Sequence, residues 1–178
     1  MADLPTRMAG IAGLILDVDG VLTDGRLYYG PDGEAIKTYG VRDGLGLVLL
    51  REHGVRLGIV SGRASGLVAT RADELGITPT LLARTDKSAA LDEILSAWDL
   101  SAAQVAGIGD DIIDLPLLRR VGVSFCPADA DLRVRDRVDV VLAGHGGAGA
   151  VREAAEMLLR ARGDWAQIER RFAMGEHA

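Results

Sequence analysis

Leu14-Ile15-Leu16-Asp17-Val18-Asp19-Gly20-Val21-Leu22-Thr23 reads as a buried strand that runs into two carboxylates spaced by one residue. Along a strand Asp17 and Asp19 share a face, and Gly20 lets the chain turn at once, so both can converge on a hard cation and a phosphate. In an open α/β sheet ligands bind outside the carboxyl ends of the strands, which is where this pair falls. The plainer reading is a solvated acidic pair at a strand-to-loop junction.

Working outward, short apolar runs alternate with stretches of helical period, the pattern of βαβ units and a parallel sheet, so the fold class is α/β. Strands are expected at Leu14–Val18, Arg56–Val60, Val105–Ile108, Gly122–Phe125 and Asp139–Leu142. Leu91, Ile94, Leu95 and Trp98 repeat at helical spacing, as do Val151, Ala154, Ala155, Leu158 and Leu159. Arg26–Tyr29 and Ala35–Tyr39 flank Gly30-Pro31-Asp32-Gly33, which predicts a β-hairpin projecting from the carboxyl edge of the sheet. No internal repeat or linker divides the chain. The expectation is one domain over 1–178, with an arm at about 24–40 and a polar, loosely ordered tail at about 163–178.

The 178 residues are 48% apolar and 26% charged, enough to fill a core. Twenty Lys and Arg against 26 Asp and Glu give a net charge of −6, which argues against general affinity for nucleic acid or an anionic membrane. Cys126 is the only cysteine, so no intrachain disulfide forms, and a reducing, cytoplasmic compartment is expected. Met1–Gly10 lacks the pattern of a secretory signal, and apolar runs such as Leu45–Leu50 fall far short of the about 20 residues that span a bilayer.

Gly109-Asp110-Asp111-Ile112-Ile113-Asp114 follows another apolar run, so a second strand end offers carboxylates. Asp often caps helices, but this segment holds more acids than one cap uses. Pooled carboxylates need a compensating cation, and an all-oxygen set favours Mg²⁺ over zinc, since His53, His145 and His177 are scattered. Ser61-Gly62 ends a third strand and predicts a phosphate cup at a helix start, although Ser-Gly is by itself a common turn. Lys87 opens the Leu91–Trp98 helix and can set a fixed positive charge on a transferring phosphoryl group; the alternative is a solvated first-turn residue. Lys37 and Lys87 are the only lysines. Arg63 and Arg71 are placed on one helix face, suited to a substrate carboxylate or phosphate. Gly144–Gly149 matches a dinucleotide fingerprint, but too little chain follows it for the required return strand.

In this order, Asp17/Asp19, Ser61, Lys87 and Asp110/Asp111/Asp114 resemble the haloacid dehalogenase superfamily of phosphotransferases. Asp at position 19 is similar to its phosphatases. Asp-Gly-Val-Leu-Thr-Asp-Gly (19–25), Val-Arg-Asp-Gly (41–44), Ser-Gly-Arg (61–63) and Gly-Gly-Ala-Gly-Ala-Val-Arg-Glu (146–153) are similar to its capless subgroup, which acts on an eight-carbon acidic sugar phosphate, 3-deoxy-D-manno-octulosonate 8-phosphate. That likeness spans about residues 10–163. Leu82-Ala83-Arg84-Thr85-Asp86 departs from the Gln-Gly-Gln segment usual there.

The resemblance implies a Rossmann-like sheet sandwiched by helices without a cap domain, and the stretch from Asp19 to Ser61 is already used by the hairpin and one helix. It also implies Asp17 as nucleophile, Asp19 as proton carrier, Ser61 and Lys87 on the phosphoryl group, and Gly62, Arg63 and Arg71 on the substrate. Mg²⁺ would be held by Asp17, the Asp19 backbone carbonyl and Asp110, with Asp111 and Asp114 orienting its waters or Lys87. A homotetramer is implied, neighbouring subunits and the Gly-rich segment helping to cover each site. The alternatives are a phosphatase for a nine-carbon acidic sugar 9-phosphate and a silent scaffold. A phospho-accepting receiver domain is excluded because there the acidic pair precedes the phosphorylated aspartate.

Overall fold

A computed structural model describes residues 2–173. Among these residues eight strands and eight α-helices follow in chain order: α1 (Leu4–Ala9), β1 (Gly13–Leu16), β2 (Tyr28–Gly30), β3 (Gly33–Ile36), α2 (Val41–Glu52), β4 (Arg56–Val60), α3 (Gly66–Leu75), β5 (Thr80–Leu81), α4 (Lys87–Trp98), β6 (Val105–Ile108), α5 (Leu115–Leu118), β7 (Val123–Cys126), α6 (Leu132–Arg135), β8 (Val140–Val141), α7 (Ala150–Arg162) and α8 (Trp165–Ala173). Six strands form one sheet in the order β5-β4-β1-β6-β7-β8, every pair parallel. The expected strands are all present within a residue or two, and the two-residue β5 adds an edge.

Period-two burial splits the core between the two faces. Leu14, Leu16, Leu57, Ile59 and Phe125 pack with α2, α7 and α8, whereas Ile15, Val60 and Cys126 pack with α4, α5 and α6. Gly13 and Gly58 make room for the Trp98 ring: a Cβ on either would stand 2.7 or 3.0 Å from it. Such close fits leave no slack for added volume.

The hairpin β2-β3 stands apart from the main sheet, its arms shorter than expected and a bulge falling between Tyr28 and Tyr29. The tail departs from expectation. Composition suggested loose order, but Trp165 and Ile168 sit at i, i+3 and are buried, so residues 165–173 form a docked helix. Gly163, at φ 84°, ends α7 and reverses the chain, and Arg160 stacks 4.8 Å above the Trp165 ring. The part of the expected tail from 174 onward lies outside the described residues. Among the described residues no helix is long and apolar enough to cross a membrane.

Candidate active site

β1 lies between β4 and β6, so the chain leaves the sheet in opposite directions on either side of it, and a crevice opens at the three carboxyl ends. Leu16 is level with Ile59 and Ile108. Asp17, Ser61 and Asp110 therefore emerge side by side. The Asp17 amide donates to Ile108 O at 3.0 Å and the Ser61 amide to Leu81 O at 2.9 Å, which fixes both residues as extensions of the sheet. A cavity of about 300 Å³ is lined by Asp17, Asp19, Ser61, Arg63, Asp110 and Leu27, among others.

Lys87 is the first residue of α4, whose N-cap Asp86 accepts from the amides of Ser88 and Ala89. It is not the solvated residue of the plainer reading. Its side chain is 1% exposed, and Nζ donates to Asp17 Oδ1 at 2.6 Å and to Asp114 Oδ1. Asp114 Oδ2 accepts from the amides of Asp110 and Asp111 at 3.0 and 3.2 Å, so it orients the lysine and holds the second acidic loop. Asp17, Asp110 and Asp114 each place a carboxylate oxygen within 4.8 Å of the others.

One ammonium stands among three carboxylates and bonds to two of them, Asp17 and Asp114. Burial pushes the Asp17 carboxyl up to about 7 against the opposing pull of Lys87, and burial together with the charges of Asp17, Asp114 and Asp111 pushes that of Asp110 up to about 8. Burial works against the Lys87 charge, but Asp17 and Asp114 outweigh it and hold its pKa above the usual lysine value. A crowded, oxygen-only donor set with uncompensated negative charge fits a hard divalent cation. His53 and His145 lie outside this cluster, and His177 lies outside the described residues.

Asp19 faces elsewhere. Its side chain meets Lys37 Nζ and, at 3.6 Å, Arg63 Nε, so it is not among the three clustered carboxylates. Arg63 also donates to Tyr29 Oη at 3.1 Å and faces Glu34 at 3.6 Å. The bond from the Ser65 hydroxyl, aided by Lys37 and Arg63, holds the Glu34 carboxyl below its usual range. Sequence reasoning passed over Tyr29, Glu34 and Lys37. The scarcity of lysine, noted for Lys87, applied equally to Lys37.

Two expectations are corrected. Ser61-Gly62-Arg63 does not open a helix: the Ser61 hydroxyl accepts from the Arg63 amide at 3.3 Å in a turn, and α3 starts only at Gly66. Arg63 consequently shares no helix face with Arg71. Arg71 lies over the Tyr39 ring at 5.6 Å, pairs with Glu74 at 2.9 Å and lines an adjoining groove with Lys37 and Tyr39. Asp111 is exposed and caps Ile112 at 2.6 Å, the capping role weighed as the plainer reading.

The Gly-rich segment supports the Asp19 loop from behind. Gly147 donates to Val21 O at 2.9 Å, and a Cβ on Gly146 or Gly147 would collide with the backbone of Gly20 or Thr23. The segment is fixed in turn: Asp129 accepts from the Gly146 amide at 3.0 Å, and Glu153 from those of Ala143 and Gly144 at 2.9 Å. Buried Asp43, at the start of α2, takes the amides of Gly149 and Arg152 at 3.1 and 2.8 Å, capping α7 from a distant part of the chain. Asp43 went unread as a functional position although its motif was noted, because its partners are backbone groups.

Comparison with known proteins agrees with this geometry. Residues 82–152 match the haloacid dehalogenase-like hydrolases. The 3-deoxy-D-manno-octulosonate 8-phosphate phosphatase of Haemophilus influenzae is 43% identical over 157 residues, 88% of this chain and 87% of its own. That of Escherichia coli K12 is 40% identical over 162 residues, 91% of this chain and 86% of its own. The structure of the Moraxella catarrhalis enzyme, in complex with magnesium, phosphate and KDO, superposes with a TM-score of 0.92 at 34% identity, covering 94% of this chain and 97% of that one. With this likeness along nearly its whole length, the chain belongs to the 3-deoxy-D-manno-octulosonate 8-phosphate phosphatase family of haloacid dehalogenase-like hydrolases.

Proposed function

We propose that the protein hydrolyses 3-deoxy-D-manno-octulosonate 8-phosphate in a Mg²⁺-dependent reaction through an aspartyl-phosphate on Asp17. The observation that carries this reading is the buried Asp17 carboxylate, set at the tip of the central strand beside Lys87, Ser61 and a surplus of negative charge. Asp17, Asp110 and the Asp19 backbone carbonyl would hold the ion. When bound, it offsets the repulsion between the Asp17 carboxylate and the phosphate dianion.

Asp17 attacks phosphorus in line as the bond to the sugar oxygen breaks, and Asp19 gives its proton to that oxygen. Asp19 then takes a proton from the water that attacks the aspartyl-phosphate, which frees inorganic phosphate and restores the Asp17 carboxylate. Lys87 and the Ser61 hydroxyl stabilise the charge on the phosphoryl oxygens in both steps. Asp114 and the backbone it holds keep Lys87 aimed, and Gly62, Arg63 and Arg71 face the sugar acid.

The exposed apolar side chains Leu27, Tyr28, Tyr29 and Ile36 on and beside the hairpin support a homotetramer joined through these arms, and the single cysteine, which can form no disulfide within the chain, supports a reducing, cytoplasmic compartment. The test is phosphate release from a panel of acidic sugar phosphates with Mg²⁺ and with EDTA. The eight-carbon 8-phosphate is expected to be turned over fastest, EDTA to abolish turnover, and Asp17→Asn to do the same with the fold retained. Preference for a nine-carbon 9-phosphate would reassign the substrate, and no release from any sugar phosphate would leave a scaffold.

A further inference from the structure

Lys37 directly follows the second hairpin strand, and its side chain turns inward until it is 1% exposed. Its Nζ meets Asp19 Oδ1 and, at 3.1 Å, Glu34 Oε1. Burying an ammonium is unfavourable unless carboxylates replace its lost hydration. Asp19 receives a second cation on its other oxygen, where Arg63 Nε stands 3.6 Å from Oδ2, and Arg63 in turn faces Glu34. Two cations thus match two carboxylates. This balanced group adjoins the cluster in which one ammonium stands among three acids and pairs with two of them.

The contrast explains why Asp19, only two residues from Asp17, keeps its carboxylate away from the electron-rich cluster. In an in-line displacement the leaving oxygen lies on the far side of phosphorus from the nucleophile. A proton carrier must therefore stand clear of the Asp17 side, and Gly25 and Leu27 line the cavity where the chain departs into the hairpin. We infer that Lys37 is a positioning residue for the reaction, holding the Asp19 carboxylate on the hairpin side of the cavity, at the leaving oxygen. The hairpin then shapes the site of its own chain, besides any part it plays between subunits. This rests on the reading of Asp19 as proton carrier given above.

The experiment compares single-turnover rates of the parent and Lys37→Met, with saturating Mg²⁺, on two substrates. One is 3-deoxy-D-manno-octulosonate 8-phosphate, whose alkoxide leaving group needs a proton. The other is p-nitrophenyl phosphate, whose phenolate leaves without one. The expected result is a loss of about 10- to 100-fold on the sugar phosphate, a share of what a general acid supplies. Nitrophenolate release in the first turnover should change by less than about threefold on the same reasoning, and Lys37→Arg should recover most of the sugar-phosphate rate. Equal losses on both substrates, or no loss on either, would overturn the inference. If Lys37→Met lacks the parent's thermal transition, the same two rates are read in Lys37→Gln, which keeps a donor of similar length. The parent's own rate on the sugar phosphate tests the proposed function separately, before any variant is made.

Discussion

Gly20 and Asp110 leave no space between them: a Cβ built on Gly20, at φ +91°, would fall inside the Asp110 carboxylate. Gly20→Ala should therefore drive Asp110 out of the acidic cluster and impose left-handed strain of roughly 1–2 kcal/mol. The folded protein should survive with a modestly lower Tm, while Mg²⁺ affinity and turnover fall together, by at least about tenfold on the scale of a perturbed metal site. Calorimetric titration with Mg²⁺ checks this, and parental affinity would show that Asp110 does not serve the cation.

Lys87→Met removes the one ammonium among Asp17, Asp110 and Asp114. Breaking a buried ion pair from one side costs about 3–5 kcal/mol, because the partners are left uncompensated. Urea unfolding in EDTA should show a loss of that size. Mg²⁺ should restore part of the stability but not the activity, since the charge on the phosphoryl group is missing.

Metal-free protein should lose stability as the pH rises. Asp17 and Asp110 hold their protons up to about 7 and about 8 in the fold, well above the usual carboxylate range. Across the interval between the unfolded and folded values the native state binds more protons, so this contribution is full in acid and lost as pH climbs through the folded values. Mg²⁺ binds the deprotonated form. The difference in Tm between Mg²⁺ and EDTA should widen from about pH 5 to about pH 9, and Asp110→Asn should flatten it. A difference independent of pH would place the ion elsewhere.

Asp43→Ala should leave two amides at the start of α7 without their acceptor. Bonds to a charged acceptor are worth about 1.5–3 kcal/mol each, so a destabilisation of about 3 kcal/mol or more is expected. Hydrogen exchange should quicken first at Gly149 and Arg152, and the loss should spread to Val21 through Gly147.

Strand period and spacing made the sheet, its parallel sense and both acidic tips legible, because these depend on local apolar runs and on the rule that sites open at carboxyl ends. The two-residue β5 carried no such signal. Arg63 and Arg71 were misjudged together because their spacing suits a helix, and Ser65, a residue type that marks helix starts, was not weighed as the N-cap of α3. Glu34 and Asp43 escaped for a different reason. Each is defined by a partner far along the chain, Ser65 for Glu34 and Gly149 for Asp43, and single-chain patterns carry no record of such pairings. The tail was misread because polar content was weighed above the spacing of Trp165 and Ile168.

The backing of Val21 and Thr23 by Gly146 and Gly147 has a bearing on how the molecule matures on the ribosome. The loop that follows Asp17 is translated before the glycines that brace it, which emerge more than a hundred residues later. Until then a nascent chain can pair its early strands but has no rigid floor beneath the loop, so catalytic competence waits for those glycines, as expected where contacts are far apart in sequence.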